Sequence, residues 1–137
     1  MLLVLLGLWL YNPDAFTDAT ARVQTTATET VNPRSLSVVD GDTVRRAGET
    51  IRLVGYDTPE TYRAECDSER ARGDEATARL RELIGSENSV DLTILPGRDR
   101  HGRLLGRLSV GGDDVGDILI SEGLARAYRG GQRDDWC

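Results

Sequence analysis

Five stretches of the chain alternate apolar and polar residues or keep an extended character, as β-strands do. They are residues 35–39, 43–46, 50–56, 89–95 and 103–110. Short glycine-containing turns separate the first three stretches, which therefore predict an antiparallel meander.

Between the third and fourth strands the apolar positions take a helical period. They recur at i, i+4, i+7 and i+8, at Ala76, Leu80, Leu83 and Ile84. This stripe predicts a helix that starts at Asp67 and that Gly85 ends. A second, shorter helix is predicted over residues 115–122, where Ile118 and Leu119 supply the apolar face.

The element order β-β-β-α-β-β-α predicts a fold that is mainly β with helices. Five strands with a helix after the third suit a five-stranded Greek-key barrel of the OB type. A five-stranded sheet with helices on one face is the competing geometry. A chain of 137 residues is long enough for one such domain.

The N-terminal residues have a different pattern. Residues 1–11 read MLLVLLGLWLY and are almost all apolar, whereas a membrane-spanning helix needs about 20 such residues. We interpret residues 1–21 as a signal peptide or a short N-terminal anchor, with a buried strand or helix as the alternative. Residues 22–34 are expected to form a linker, and residues 35–137 the domain itself.

The presence of two cysteines, Cys66 and Cys137, is consistent with export from the cytoplasm. In an oxidising compartment a disulfide between them would hold the end of the chain, whereas two unlinked thiols are the alternative. We therefore expect a secreted, periplasmic or otherwise extracytoplasmic protein, which the N-terminal run would attach to a membrane only if it is not cleaved.

Charge and composition exclude two kinds of site. All 17 basic residues are Arg, and 23 acidic residues give a formal net charge of −6, so binding of nucleic acid through bulk positive charge is excluded. One His and two Cys are too few for a zinc site built from these residues. Phosphate chemistry, if present, depends on a few placed groups.

Three motifs resemble those of the staphylococcal nuclease (thermonuclease) family. They read VDGDTV at residues 39–44, IRLVGYDTPET at residues 51–61 and DRHGR at residues 99–103, and GLA at residues 123–125 is also similar. The resemblance covers residues 35–128. DGDTV alone is a weak signal because Asp-Gly turns are common, but all three motifs in this order are hard to obtain by chance.

A calcium site is predicted at the ends of two strands. Asp42 and Asp57 each lie where a strand breaks, and the two carboxylates can meet if the first and third strands are neighbours. Two carboxylates and a carbonyl are oxygen ligands that suit Ca²⁺. The resemblance implies that Asp42, Asp57 and the carbonyl of Thr58 bind the metal and that Asp40 supports the site from outside; two ordinary turn aspartates are the alternative.

The resemblance also implies catalytic and substrate-binding residues. Arg52 and Arg103 would hold the scissile phosphate, and Glu60 would orient or deprotonate the attacking water. His101, at a position where the best-known member carries Tyr, and Tyr128, one residue nearer to the GLA segment than expected, would contact the nucleotide. The family's third helix is absent, and a Cys66–Cys137 disulfide with Trp136 packed beside it is expected to replace it.

These residues predict a calcium-dependent nuclease that acts on DNA or RNA, preferably single-stranded, and leaves a 3′-phosphate and a 5′-hydroxyl. We expect a monomer without a stable protein partner. The guanidinium groups of Arg52 and Arg103 are both expected to face Asp42 and Asp57. The alternatives are a non-catalytic OB-fold module that binds nucleic acid or protein, and a domain that calcium only stabilises.

Overall fold

A computed structural model describes residues 26–137. The predicted signal peptide or anchor at residues 1–21 lies outside the described residues. The elements are the strands β1 (Ala27–Val31), β2 (Ser37–Asp40), β3 (Thr43–Arg46), β4 (Glu49–Leu53), β5 (Gly55–Asp57), β6 (Val90–Arg98), β7 (Leu104–Val110), β8 (Asp113–Asp114) and β9 (Arg126–Tyr128), and the helices α1 (Asp67–Gly85) and α2 (Val115–Ser121). A 3-10 turn, Pro33–Ser35, connects β1 to β2.

The main sheet is mixed. Its strand order is β1-β6-β7-β4-β3-β2, and β8 pairs with β7. Strands β4 and β7 pair in parallel, whereas the remaining pairs are antiparallel. A second small sheet joins β5 to β9. The predicted class, mainly β with helices and of the OB type, is confirmed, although the sheet is open, with β1 and β2 at its two ends.

Several parts of the chain differ from the prediction, among them β8 and β9, which the sequence pattern did not indicate. Residues 27–31, assigned to the linker, form β1 and pair with β6. The strand predicted over residues 50–56 breaks after Leu53, because Gly55 takes a left-handed backbone conformation with φ of 95°. In addition, β6 continues past residue 95, the predicted end of the fourth strand, as far as Arg98, with an irregularity after Leu95.

The core lies between the sheet and the two helices. The predicted stripe of α1 is buried, and it packs with side chains of β3, β4, β6 and β7, among them Val44, Ile51, Leu92 and Leu108. Helix α2 packs on Tyr56, where Gly116 permits close approach, since a Cβ at that glycine would lie 2.4 Å from the Tyr56 ring. None of the described helices combines the length and apolar character needed to cross a bilayer.

Candidate functional site

Arg52 lies between the two acids predicted to bind metal. Its Nη2 atom is 3.4 Å from Asp42 Oδ2 and 3.7 Å from Asp57 Oδ1. The three side chains are only 12%, 10% and 5% exposed, in the order Arg52, Asp42, Asp57. The structure therefore brings these three residues together in a largely dehydrated setting, where their charges interact strongly.

The two acids meet for a reason other than the one predicted. The first and third strands of the meander, β2 and β4, are not neighbours, because β3 lies between them. Asp42 instead belongs to the turn that follows β2, and its carbonyl accepts a hydrogen bond of 2.8 Å from the Leu53 N–H. The chain then turns at Gly55 into β5, which ends at Asp57.

Burial and a neighbouring acid leave the negative charge of the Asp42 carboxylate only partly compensated. Burial raises the pKa of Asp42 to about 6, against the opposing effect of Arg52, and nearby Asp40 raises it further. Asp40 also accepts a hydrogen bond of 3.1 Å from the Asp42 N–H through its Oδ1 atom. Asp40 thus holds the turn that carries Asp42, and the carboxylate of Asp42 lacks full charge compensation.

Helix α1 holds the loop that carries Glu60. Thr58 is buried, and the Glu60 N–H donates to the buried carboxylate of Glu69 at 3.3 Å. Gly73 lets the helix approach this loop, since a Cβ there would lie 2.7 Å from the carbonyl oxygens of both Pro59 and Glu60. The backbone of Glu60 is therefore fixed, whereas its side chain stays 32% exposed.

Arg133, in the C-terminal tail, also enters the site. Its Nε atom donates to Asp57 Oδ2 at 3.0 Å, and Nη2 donates to Asp57 Oδ1 and, at 3.2 Å, to the Thr58 carbonyl. Nη1 donates to Glu60 Oε1. Burial alone would lower the pKa of Arg133, but the hydrogen bonds with Asp57 and Glu60 outweigh it and raise that pKa.

Sequence reasoning missed Arg133 because the tail has no periodicity. The one signal that points to it is indirect: pairing of Cys137 with Cys66 brings the last residues of the chain back to the start of α1. Nothing in the sequence sets the direction of the Arg133 side chain.

Arg103 does not face the two acids, which corrects the prediction. Its Nε atom donates to Asp99 Oδ2 at 2.7 Å, and the Arg103 N–H donates to Asp99 Oδ1 at 3.0 Å. Burial would raise the pKa of Asp99, but these hydrogen bonds, with one from the His101 N–H, lower it. The loop folds around the carboxylate of Asp99. The guanidinium of Arg103 therefore pairs with the acid that lies nearest to it in the sequence.

In the described part of the chain, the two residues predicted to contact a nucleotide form no hydrogen bond with the two acids predicted to bind metal. His101 is exposed in the loop after β6, and its Nε2 atom lies 3.2 Å from Arg100 Nε. Tyr128 ends β9 opposite Gly55, and its hydroxyl donates to the Gly131 carbonyl at 2.8 Å. Tyr128 and Asp57 line the same small cavity of about 160 Å³.

Cys66 and Cys137 form the expected disulfide, with a Cα–Cα distance of 6.1 Å. Trp136 is buried beside it, and the guanidinium carbon of Arg126 lies 3.9 Å from the centre of the indole ring. The disulfide and Trp136 together hold the C-terminal tail against the start of α1, and their substitution for the family's third helix stays a prediction.

The donor set fits calcium. Two buried carboxylates and a backbone carbonyl offer the oxygen atoms that Ca²⁺ prefers. A raised pKa of a buried carboxyl group indicates that positive charge is missing around it, and burial raises the pKa of Asp42 despite the proximity of Arg52. Asp42, Asp57 and the Thr58 carbonyl are therefore suited to a divalent cation.

A family model described as staphylococcal nuclease homologue matches residues 50–135. The chain belongs to this family. The match includes Arg52, Asp57, Glu60 and Arg103, and also Arg133. Residues 40 and 42 precede it, so the first acid of the site is assigned by geometry and by the DGDTV motif.

Curated relatives of this staphylococcal nuclease homologue include two endonucleases of Bacillus subtilis (strain 168). Endonuclease YncB is 36% identical over 94 residues, which cover 64% of this chain and 44% of the relative. The SPbeta prophage-derived endonuclease YokF is 37% identical over 94 residues, covering 64% and 31%. The succinoglycan biosynthesis protein ExoI of Rhizobium meliloti (strain 1021) is 35% identical over 94 residues, covering 65% and 48%. The aligned regions thus span less than half of each relative.

Proposed function

We propose that this staphylococcal nuclease homologue is a calcium-dependent nuclease that hydrolyses phosphodiester bonds in DNA or RNA. The observation that carries the proposal is the buried cluster in which Arg52 lies 3.4 Å from Asp42 and 3.7 Å from Asp57. Family membership and the names of two relatives, both called endonucleases, support a nuclease. The dependence on calcium and the 3′-phosphate products are parts of the proposal.

Asp42, Asp57 and the carbonyl of Thr58 would hold the calcium ion, and Asp40 would keep the turn of Asp42 in place. Bound calcium would neutralise negative charge on a phosphate oxygen. A net charge of −6 disfavours long-range attraction of a polyanion. Binding of the substrate would therefore depend on positive charge at the site itself.

The chain's own residues would carry out the hydrolysis. Glu60 accepts a proton from a water molecule, whose oxygen forms a bond to phosphorus as the bond from phosphorus to the 5′-oxygen breaks. Arg52 donates hydrogen bonds to the phosphate oxygens as their negative charge grows. The 5′-oxygen leaves and takes up a proton from solvent water, so the products carry a 3′-phosphate and a 5′-hydroxyl.

The guanidinium of Arg103 contacts Asp99 through its Nε atom. We propose that the substrate phosphate competes with Asp99 for it, since both are anions that an Arg binds through paired hydrogen bonds. His101 and Tyr128 would contact the nucleotides on either side, a mode of binding that favours single strands because their bases are free to stack.

We further propose that the protein works as an exported monomer. The Cys66–Cys137 disulfide supports this location, since disulfides persist in oxidising compartments. The apolar residues 1–11 would direct export and would keep the protein at a membrane only if they are retained.

The test compares the wild type with Glu60→Gln on end-labelled single-stranded DNA, with calcium and with a chelator. We expect calcium-dependent cleavage with 3′-phosphate ends, and a fall of about 10²–10⁴-fold in the rate for Glu60→Gln. Glu65→Gln is the matched control, because Glu65 is an exposed acid of the same loop, and it should cleave at the wild-type rate.

Two results would contradict the proposal. Wild-type cleavage by Glu60→Gln would remove Glu60 from the mechanism. Calcium binding by the wild type without cleavage of DNA or RNA would favour a non-catalytic binding module or a domain that calcium only stabilises.

A further inference from the structure

The C-terminal arm, residues 129–137, starts next to the proposed metal site. Strand β9 pairs with β5 so that Arg126 lies opposite Asp57. The arm then turns at Gly130 and Gly131, which both have left-handed backbone angles. The Tyr128 hydroxyl holds this turn by donating to the Gly131 carbonyl at 2.8 Å. The first half of the arm is therefore fixed beside Asp57.

The other end of the arm is fixed independently. Arg126 donates to the Asp135 carbonyl at 2.9 Å and stacks on the indole of Trp136. Cys137 is bonded covalently to Cys66, the residue just before α1. Arg133 lies between these two attachments, so its side chain is delivered to one place.

That place coincides with the oxygen atoms proposed as metal ligands. Arg133 donates to both carboxylate oxygens of Asp57 and to the carbonyl of Thr58. It also donates to Glu60, the proposed base. A divalent cation on the same oxygens would lie next to the guanidinium, and two like charges at that distance repel each other.

We propose that Arg133 is an internal competitor of the divalent cation, held in the site by the disulfide-anchored arm, and that metal binding has to displace it. This inference rests on the proposed function, because it takes Asp57 and the Thr58 carbonyl as metal ligands. A cation that must displace an internal group binds more weakly than it would to a site without that group. Its apparent affinity is the affinity of the open site multiplied by the fraction of molecules in which Arg133 has left the site. The arm therefore sets the calcium concentration at which the site fills.

The disulfide gives this competition its strength. A tethered group acts at a high effective concentration, which falls when the tether is released. With the disulfide broken, Cys137 no longer ties the arm to α1, and Arg133 spends less time on Asp57. Reduction should therefore raise the affinity for calcium without any change in the metal ligands.

The experiment measures calcium binding to the full chain by isothermal titration calorimetry, after removal of metal with a chelator. We expect Arg133→Gln to bind calcium at least about tenfold more tightly than the wild type, within the usual range of coupling between two binding events. Arg129→Gln is the matched control, because it removes the same charge from the same arm while Arg129 is exposed; its affinity should change less than threefold, as roughly expected for a screened surface charge. The double variant Cys66→Ser with Cys137→Ser should also bind more tightly than the wild type.

Thermal unfolding supplies a second readout that a merely structural arginine would not reproduce. In chelator, Arg133→Gln should unfold at a lower temperature than the wild type, because Asp57 and Glu60 lose their partner. In saturating calcium this difference should vanish or change sign, since the cation replaces the guanidinium. A structural arginine would lower the unfolding temperature equally in both conditions.

The outcomes separate the inference from the proposed function. Equal calcium affinity of wild type and Arg133→Gln, or weaker binding by the variant, would overturn the competition and leave the calcium site standing. An equal gain in Arg129→Gln would also overturn it, because the effect would then be one of general charge. Absence of calcium binding in every variant would overturn both the inference and the calcium dependence proposed for the nuclease.

Discussion

Arg52 has two tasks in this protein, one electrostatic and one structural. Its guanidinium neutralises part of the charge of Asp42 and Asp57. It also donates to the carbonyls of Leu53 and, at 2.9 Å, of Tyr56. These bonds tie the end of β4 to β5, so a substitution made to test catalysis also tests the fold.

We predict that Arg52→Ala abolishes cleavage and, in addition, lowers the free energy of unfolding in chelator by about 3–5 kcal/mol, the usual cost of breaking a buried ion pair. The loss of stability is expected because Arg52 also donates to the backbone carbonyls of Leu53 and Tyr56. Urea denaturation provides the measurement. Arg107→Ala, at an exposed position of β7, is the control and should change stability by about 0.5 kcal/mol or less.

A second prediction at this scale concerns pH. The pKa of Asp42 is raised from 3.8 to about 6 by burial, so the folded protein holds a proton on Asp42 between these pH values that the unfolded chain has released. The contribution of Asp42 to stability is therefore present below pH 4 and is lost as the pH rises through 6, with a slope of at most about 1.4 kcal/mol per pH unit.

Urea denaturation of the metal-free protein from pH 4 to pH 7 tests this sign. Wild type minus Asp42→Asn isolates the contribution, because all other groups titrate in both proteins. The difference should fall as pH rises. A flat difference, or one that grows with pH, would mean that Asp42 is ionised throughout and that Arg52 offsets its burial.

Residues that lie within local motifs were predictable, and those brought in by long-range contacts were not. Asp42, Asp57 and Glu60 belong to short segments whose turn and proline chemistry can be read from the sequence. The partner of Arg103 was missed because the choice between Asp99 and a distant acid depends on how the loop folds. Arg133 was missed because its position depends on a disulfide between two cysteines that are 71 positions apart along the chain.

At the scale of elements, strands and helices with a buried face were predictable. Helix α1 begins and ends where its apolar stripe indicated, at Asp67 and Gly85. Strand β1 was missed because its first four residues are exposed, so no burial forced an apolar pattern on them. Its hydroxyl side chains instead bond across the edge of the sheet, as Thr28 does with Thr93 at 2.7 Å.

The contact between α1 and the loop of Glu60 yields a prediction about Gly73. In an open helix Gly→Ala would stabilise by about 1 kcal/mol. Here the added methyl group would meet the carbonyl oxygens of Pro59 and Glu60 at 2.7 Å, so we expect Gly73→Ala to destabilise by about 1–3 kcal/mol and to slow cleavage by displacing Glu60.

Gly85→Ala is the control, because a Cβ at this last residue of the same helix meets nothing within 4 Å. It should leave the cleavage rate close to that of the wild type and the stability unchanged or raised by up to about 1 kcal/mol. Thermal unfolding and the single-stranded DNA assay measure both properties. A stabilised, fully active Gly73→Ala would show that the loop yields to the helix, and Glu60 would then not be fixed by this contact.

At the scale of the whole molecule, the chain is acidic, whereas arginine side chains surround the acids of the candidate site. A net charge of −6 coexists with two guanidinium groups, those of Arg52 and Arg133, which both contact Asp57. Under the proposed function, such a molecule would bind a phosphate chain through these few placed groups and through metal. The disulfide keeps the C-terminal arm, and with it Arg133, beside Asp57.

The last prediction concerns how the disulfide stabilises the fold. Cys66 and Cys137 lie 71 positions apart, and for a loop of this size the chain-entropy treatment gives about 4 kcal/mol, most of it from restriction of the unfolded chain. Cys66→Ser with Cys137→Ser should therefore lower the free energy of unfolding by up to this amount. Because an unlinked chain exposes more surface when it unfolds, the denaturant slope should also increase. A loss of stability with an unchanged slope would instead place the effect in the folded state, in the contacts of Trp136 and Arg133 that the arm brings with it.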